Sequence, residues 1–400
     1  MKVLVLNCGS SSVKYQLFDM PEGRILAKGL VQRIGEEQSE AFQKAGDFEI
    51  RFVERIKDHK QGLQVIQKML TDPAKGPIKS MSEIGACGHR VVHGGEAFTG
   101  SVNVDEKLEE VIDEYSDLAP LHNPPNLAGI REAKKMFGNI PQVACFDTAF
   151  HQTIPERAYL YALPYEMYEK YKIRRYGFHG TSHRYVARKA AAIMKRGKYE
   201  VDLITCHLGN GCSITAVKNG KSVDTSMGLT PLEGLVMGTR TGDFDPAIIF
   251  YLIRKGYKTE ELDRIFNKQS GLLGVSGISN DVRDLEEKAG KGERKAKLAL
   301  DIFAYRIRKY IGAYLAVLNG CDGIVFTGGI GENGVRMRKR ILENLENLGI
   351  KIDDKKNEAI VGKADNIEAP DSRIKVFVIP TDEEGAIAHD TYLVAKGDDI

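Results

Sequence analysis

Val3-Leu4-Val5-Leu6-Asn7-Cys8-Gly9-Ser10-Ser11-Ser12-Val13-Lys14-Tyr15-Gln16-Leu17 is an apolar run of strand character, a Gly/Ser turn, and a second alternating apolar run. Leu203-Ile204-Thr205-Cys206-His207-Leu208-Gly209-Asn210-Gly211-Cys212-Ser213-Ile214-Thr215-Ala216-Val217 repeats that order. With one extra residue allowed in the second turn, Gly9 falls on Gly209, Ser12 on Ser213 and Val13 on Ile214. Small residues at such turns let backbone N–H groups approach an anion, and the hydroxyls add donors. The duplication predicts two related domains facing each other across a nucleotide.

The rest of the chain is compatible with two such domains. It has 400 residues, 42% hydrophobic and 28% charged, enough for substantial cores. The net charge of +2 gives no reason to expect a nucleic acid or a membrane surface as partner. No apolar run approaches the ~20 residues of a membrane span, and Val3–Leu6 is too short for a signal segment. Cys8, Cys87, Cys145, Cys206, Cys212 and Cys321 are scattered, without a C-x-x-C pair, and read as reduced thiols of a cytoplasmic protein. Strand and helix signals alternate, which predicts α/β layers. Helices are expected over Glu106–Leu118, Arg294–Leu318 and Gly334–Leu348, among others. In Arg294–Leu318 the spacing of Leu298, Ile302, Ile307, Ile311, Leu315 and Leu318 predicts a core helix. Polar Gly35–Asp47 reads as a surface excursion. A domain boundary is expected near residue 150.

A third glycine cluster, Thr327-Gly328-Gly329-Ile330-Gly331-Glu332-Asn333-Gly334, follows a strand run and opens a helix. It contains G-x-G-x-x-G, with Asp353 about twenty residues on, which supports an NAD-dependent dehydrogenase as a rival. That rival leaves the two earlier turns without a role; the alternative is a loop passing close to an adenosine. Gly220-Lys221-Ser222 ends like a P-loop, but Thr215 stands where its first glycine is required.

Anion-binding and acid–base groups gather in short glycine-punctuated runs: His89–Gly95, Phe146–His151, Tyr176–His183 and Gly238–Asp243. Arg90 and Arg240 sit beside glycines, where a guanidinium can fork onto a carboxylate or phosphoryl group. His89/His93 and His179/His183 have the i, i+4 spacing of zinc ligands, but no H-E-x-x-H is present and no cysteine lies near either pair. No G-x-S-x-G occurs, which disfavours a serine hydrolase.

Asn7–Lys14, His89–Gly95, Phe146–Gln152, Tyr176–His183, His207–Gly211, Thr225–Arg240 and Phe326–Asn333, in that order and across the whole chain, resemble the acetate/propionate kinase family. The resemblance implies two duplicated actin-like ATPase domains (ribonuclease H-like, α/β) with a nucleotide cleft between them. The expected division is 1–150 plus 384–400, and 151–383. It implies Mg²⁺-dependent phosphoryl transfer between ATP and acetate, giving ADP and acetyl phosphate, with Mn²⁺ as a substitute metal. Asp147, His179 and Arg240 match the family's catalytic positions. Arg90, Val92, Leu121, Phe178 and Pro231 match the carboxylate site and its small apolar pocket. Lys14, His207, Leu208, Gly209, Asn210, Gly211, Val282, Arg283, Asp284, Ile330, Gly331, Glu332, Asn333 and Gly334 match nucleotide contacts. Asn7 and Glu383 match the metal positions. The family is homodimeric, and propionate or another short-chain acid is the nearest alternative acceptor.

Transfer to a carboxylate spreads charge over the phosphoryl oxygens, so positioning and charge stabilisation dominate. Acetate is already ionised at pH 7, like a Glu side chain with its pKa of about 4.3, and needs no general base. Asp147 is therefore expected to hold Mg²⁺ through water or to orient an arginine. Cys8 and Cys212 stand at turn positions where the family usually has Ala or Ser, which raises an expectation of oxidation sensitivity.

Overall fold

The computed structural model describes residues 1–119 and 122–398. It divides into two compact units, Met1–Gln152 with Asp382–Ile400, and Thr153–Thr381. Unit 1 is built on β1 (Lys2–Gly9), β2 (Ser12–Asp19), β3 (Arg24–Gln32), β4 (Ser39–Ala45), β5 (Phe48–Glu54), β6 (Ile84–Val91), β7 (Val102–Asn103) and β8 (Gln142–Phe146). Their order in the sheet is β5-β4-β3-β2-β1-β6-β8-β7. Unit 2 has β9 (Leu203–Leu208), β10 (Cys212–Lys218), β11 (Lys221–Thr225), β12 (Gly323–Thr327), β13 (Asp365–Asn366) and β14 (Lys375–Val378), ordered β11-β10-β9-β12-β14-β13.

The two sheets share a centre. β3-β2-β1-β6-β8 matches β11-β10-β9-β12-β14 strand for strand. In each, three antiparallel strands are followed by a strand added parallel to the first and then by another added parallel to that one. The opening hairpins explain the extra residue: Gly9 pairs with Ser12, leaving two turn residues, whereas Leu208 pairs with Cys212, leaving three. The fold is thus a duplicated actin-like, ribonuclease H-like α/β design.

β1 and β9 are continuous apolar runs because each is covered on both faces. Leu4, Leu6 and Cys8 face a core containing Leu63 and Ile66 of the His59–Leu70 helix. Val3 and Val5 face Phe18, Val143, and Ile387 and Ala388 of the Glu383–Lys396 helix. Full burial of each such aliphatic side chain contributes roughly 1.5–3 kcal/mol. That double cover fixes where the strand ends, and therefore where Asn7 and the Gly9 turn sit.

Several expectations are corrected. Ser39–Ala45, inside the expected excursion, is β4. Its inward positions Ser39, Ala41, Gln43 and Ala45 are small or polar, so apolar alternation is weak. Gln43 is tolerated in the core because Tyr15 Oη donates to its Oε1 (2.7 Å) and its Nε2 donates to the Met69 carbonyl (2.8 Å). Arg294–Leu318 is one helix, burying Leu300, Phe303, Ile307, Ile311 and Leu318, but Leu298 is exposed. Gly334–Leu348 breaks into a Val335–Leu342 helix and a 3₁₀ turn at Glu346–Leu348; Asn344 lies at φ +62° between them. Glu106–Leu118 is helical to Glu114 and ends in a 3₁₀ turn. No described helix is long and apolar enough to cross a membrane.

Candidate active site

In unit 1, strand ends bring the charged groups together. Asn7 on β1 opposes Lys14 on β2. Arg90 lies on β6, and Asp147 directly follows β8, which runs parallel to β6. The Arg90 guanidinium forks onto Asp147, Nη2 to Oδ2 at 2.6 Å and Nε to Oδ1 at 3.1 Å. The Asp147 side chain is 2% exposed and that of Arg90 25%. The Asp147 charge holds the arginine pKa above its ordinary value despite burial. Glu383 and Glu384 open the Glu383–Lys396 helix; Glu383 Oε2 lies 4.0 Å from Arg90 Nε, and Glu384 pairs with Lys14. Burial raises the Glu383 carboxyl pKa; Arg90 opposes the rise, while Asp147 and Glu384 add to it.

The segment after β6 is pinned by side chains the sequence did not single out. Asn126 Oδ1 accepts from the Val92 N–H and Asn123 Oδ1 from that of His93, both at 3.1 Å. Asn126 Nδ2 donates to the Cys8 carbonyl at 2.7 Å, tying this segment to the β1 turn. Gly95 has φ +58°, and a Cβ there would meet the Tyr115 ring at 2.0 Å. Val92 is buried; Leu121 lies outside the described residues.

In unit 2, His179 caps the Gly180–Ile193 helix in a left-handed conformation (φ +57°) that is strained for a non-glycine residue. Its Nδ1 meets Ser213 Oγ at 2.9 Å, and its ring stacks on His207 at 4.2 Å between centroids. The Ser213 hydroxyl also meets His183 Nε2 at 2.7 Å and is fully buried. It therefore orients histidines rather than presenting itself to phosphate, a correction to the reading of the second turn. His183 Nδ1 contacts Thr205, and His89 Nε2 donates to Gln142, both at 2.7 Å. Both histidines belong to hydrogen-bond networks.

Arg240 differs from Arg90. It has no carboxylate partner among the described residues, and its Nη1 makes only a 3.4 Å contact to the Pro231 carbonyl and a 3.6 Å contact to Met237 sulfur. Desolvation pulls its pKa down. A Cβ built on Gly211 would lie 3.5 Å from Arg240 Nη1 and 3.6 Å from His179 Nε2. The guanidinium and imidazole thus converge over a glycine. Phe178 is buried beside His179, and Pro231 is half-buried.

A cavity of about 610 Å³ in unit 2 is lined by Gly209, Asn210, Val282, Arg283, Ile330, Asn333 and Gly334 of the expected nucleotide set. Gly329, of the third glycine cluster, joins them, as do Asn280, Asp281, Glu286, Val335 and Arg336, which were not singled out. His207, Leu208, Gly211, Asp284, Gly331 and Glu332 do not line it. Glu332 has internal work: its Oε1 accepts from the N–H groups of Gly328 (2.9 Å) and Thr381 (3.0 Å). Arg283 is 89% exposed and forks onto Asp281. Asp353, the supposed dinucleotide acid, caps the Asp354–Ala359 helix through the N–H groups of Lys355 and Lys356.

A brace absent from the sequence reading holds the Arg240 loop. Glu233 takes Arg175 Nη2 on Oε1 at 2.7 Å and the Tyr161 hydroxyl on Oε2. Tyr161 Oη accepts from the Leu229 N–H at 3.0 Å, and Arg175 Nη1 donates to the Thr225 carbonyl at 2.8 Å. At the far end Asp243 Oδ1 accepts from the Gly234 N–H and Oδ2 from Tyr310 Oη, both at 2.8 Å. Cys8 and Cys212 are buried, and burial pushes both thiols up to about 12. That environment opposes the expected oxidation sensitivity.

A duplicated actin-like fold with an arginine and a histidine converging over a glycine and a glycine-walled cavity defines the class of nucleotide-dependent phosphotransferases. Comparison with known proteins narrows it: residues 2–389 match the acetokinase family, and the chain belongs to that family. It is 57% identical over 395 residues to the acetate kinase of Methanosarcina thermophila, covering 98% of this chain and 96% of that one. A crystal structure of Porphyromonas gingivalis acetate kinase superposes with TM-score 0.95 at 46% identity, covering 98% and 99% of the two chains. A propionate kinase from Francisella tularensis gives TM-score 0.91 at 45% identity, again covering 98% and 99%.

Proposed function

We propose that the chain is a cytoplasmic acetate kinase, moving the γ-phosphoryl group of ATP to acetate and back. The observation that carries this reading is the convergence of Arg240 and His179 over Gly211, with no carboxylate partner for Arg240 among the described residues. An acetate oxygen attacks the γ-phosphorus, the bond to the β-phosphate oxygen breaks, and ADP leaves with its electron pair. No proton moves, because the attacking carboxylate is already ionised. Arg240 and His179 stabilise charge on the equatorial oxygens. Arg90 holds the acid's carboxylate, and Asp147 fixes the angle of Arg90. Val92, Phe178 and Pro231 supply apolar surface for the methyl group.

The donor set suits Mg²⁺, which takes one or two carboxylates beside substrate phosphates and keeps several waters. Glu383 is desolvated and crowded by Asp147 and Glu384, with Arg90 opposing them. Asn7 and Glu383 would hold the ion. When bound, it neutralises phosphate charge.

The acceptor is tested by trapping acyl phosphate with hydroxylamine from acetate, propionate and butyrate. Acetate is expected to give the highest kcat/KM; one methylene is worth only about 1–3 kcal/mol of discrimination. No hydroxamate from any acid overturns the reading. A second copy of the chain is the proposed cover for the Ala247–Arg254 helix. That helix has no buried residue and exposes Ile248, Phe250, Tyr251 and Ile253. A monomer in sedimentation at micromolar concentration would remove the dimer.

A further inference from the structure

The cavity is lined by two charged groups that the phosphoryl-transfer reading leaves idle, Glu286 and Arg336. Glu286 lies on the Val282–Gly290 helix, half-buried, and lines the cavity. The other acids of that helix are occupied. Asp281 caps it and takes Arg283, Asp284 takes the Ser279 hydroxyl at 2.8 Å, and Glu287 pairs with Lys291 at 2.5 Å. Glu286 has no hydrogen bond or ion pair with any described residue. Burial raises its pKa, and only the more distant charges of Arg336 and Arg340 oppose the rise. A desolvated carboxylate without a donor is unfavourable unless a ligand supplies one.

The direction of the helix identifies which part of a nucleotide reaches it. Asn280 Nδ2 donates to Asn210 Oδ1 at 2.9 Å, so the helix begins beside the glycine turn. Glu286 lies four residues beyond Val282, ~6 Å further along the axis. A phosphate chain seated at the turn therefore sends its nucleoside toward Glu286. A carboxylate repels phosphate and can only accept hydrogen bonds when ionised. We propose that Glu286 reads the base, accepting a hydrogen bond from the 6-amino group of adenine. This rests on the ATP-dependent reading above and adds a specificity-determining residue to it.

The test compares kcat/KM for ATP, purine riboside triphosphate (which lacks the 6-amino group) and 2′-deoxy-ATP in wild type, Glu286→Leu and Glu286→Gln. Wild type is expected to favour ATP over the 6-H analogue by about tenfold or more, because a built acceptor is left unpaired. Glu286→Leu should bring the two within about twofold, and Glu286→Gln, whose amide oxygen still accepts, should retain part of the preference. The 2′-deoxy-ATP ratio should not change. An unaltered 6-amino preference in Glu286→Leu overturns the proposal, as does a shift confined to 2′-deoxy-ATP, which would assign Glu286 to the ribose. If wild type forms no acyl phosphate, the functional reading has failed. Calorimetric titration with ADP and purine riboside diphosphate then tests Glu286 alone, with equal affinities counting against it.

Discussion

Arg90 and Arg240 are the same side chain in opposite electrostatic settings. Arg90 in unit 1 is locked by a two-pronged bond to a buried carboxylate, which keeps it charged and fixes its plane. Arg240 in unit 2 is desolvated and, among the described residues, has no carboxylate partner and touches a carbonyl and a sulfur. A guanidinium already satisfied can orient a ligand by its remaining edge. One left unsatisfied gains most when negative charge arrives. The first arrangement suits holding an acid that arrives already ionised. The second suits a phosphoryl group whose charge redistributes during transfer.

The largest effect expected from this contrast is on turnover. Arg240→Ala and His179→Ala should each lower kcat by roughly 10²–10³, as deleted oxyanion donors do. The unfolding free energy of Arg240→Ala should stay within about 1 kcal/mol of wild type, because no ion pair is lost. Near-normal turnover in Arg240→Ala would erase the distinction between the two arginines. Arg90→Ala should behave differently by destabilising unit 1. It strands the buried Asp147 carboxylate, at a cost near the lower end of the 3–5 kcal/mol range because Arg90 is a quarter exposed, so about 3 kcal/mol. The double variant Arg90→Ala/Asp147→Ala should recover part of that loss in urea denaturation. Strict additivity of the two single variants would show that the pair is not coupled.

The two arginines also differ in how far sequence could explain them. Both stand beside glycines in motif runs, and the paired hairpins that anchor the units are visible as duplicated period-two patterns. The supports are less visible. Glu233 lies 58 residues from Arg175 and 72 from Tyr161, distances at which no periodicity operates. β4 was hidden because Gln43 is buried through two hydrogen bonds instead of by being apolar. Ser213 was visible, but its hydroxyl could be assigned to phosphate or to His179 only once the helix carrying His183 was placed. Glu286 had no sequence signal, since an acid on an amphipathic helix usually faces water.

A smaller effect sharpens the contrast from the unit 2 side. If Arg240 acts through position alone, loosening its loop should reduce turnover without removing the charge. Glu233→Gln preserves volume but weakens the bonds to Arg175 and Tyr161. A drop of about tenfold in kcat is expected, well below that of Arg240→Ala, since modest misplacement of a positioned group is costly. KM for acetate should move less than kcat, and Tyr161→Phe should act in the same direction. A rise in acetate KM at unchanged kcat would place the brace on the binding side, with Arg90, and break the division of labour.

The smallest effect compares the two hairpins that began as copies. Cys8 lies in β1 and Cys212 in β10, each beside its glycine turn. Exposed thiols there would make alkylation block anion binding in both units. Both are instead buried, and burial raises both to about 12, so the thiolate population at pH 7 is negligible. Cys212 also donates to the Gly209 carbonyl at 3.0 Å, spending its proton on the turn itself. Cys8 packs against Gly129, where a Cβ would meet its sulfur at 2.3 Å. Iodoacetamide at pH 7 should therefore leave activity within about 10% of the untreated protein, whereas Gly129→Ala should lower stability by displacing Cys8. Rapid inactivation with label found on Cys8 or Cys212 would mean that the turn opens in solution. The two hairpins would then be mobile anion grips and not preformed ones.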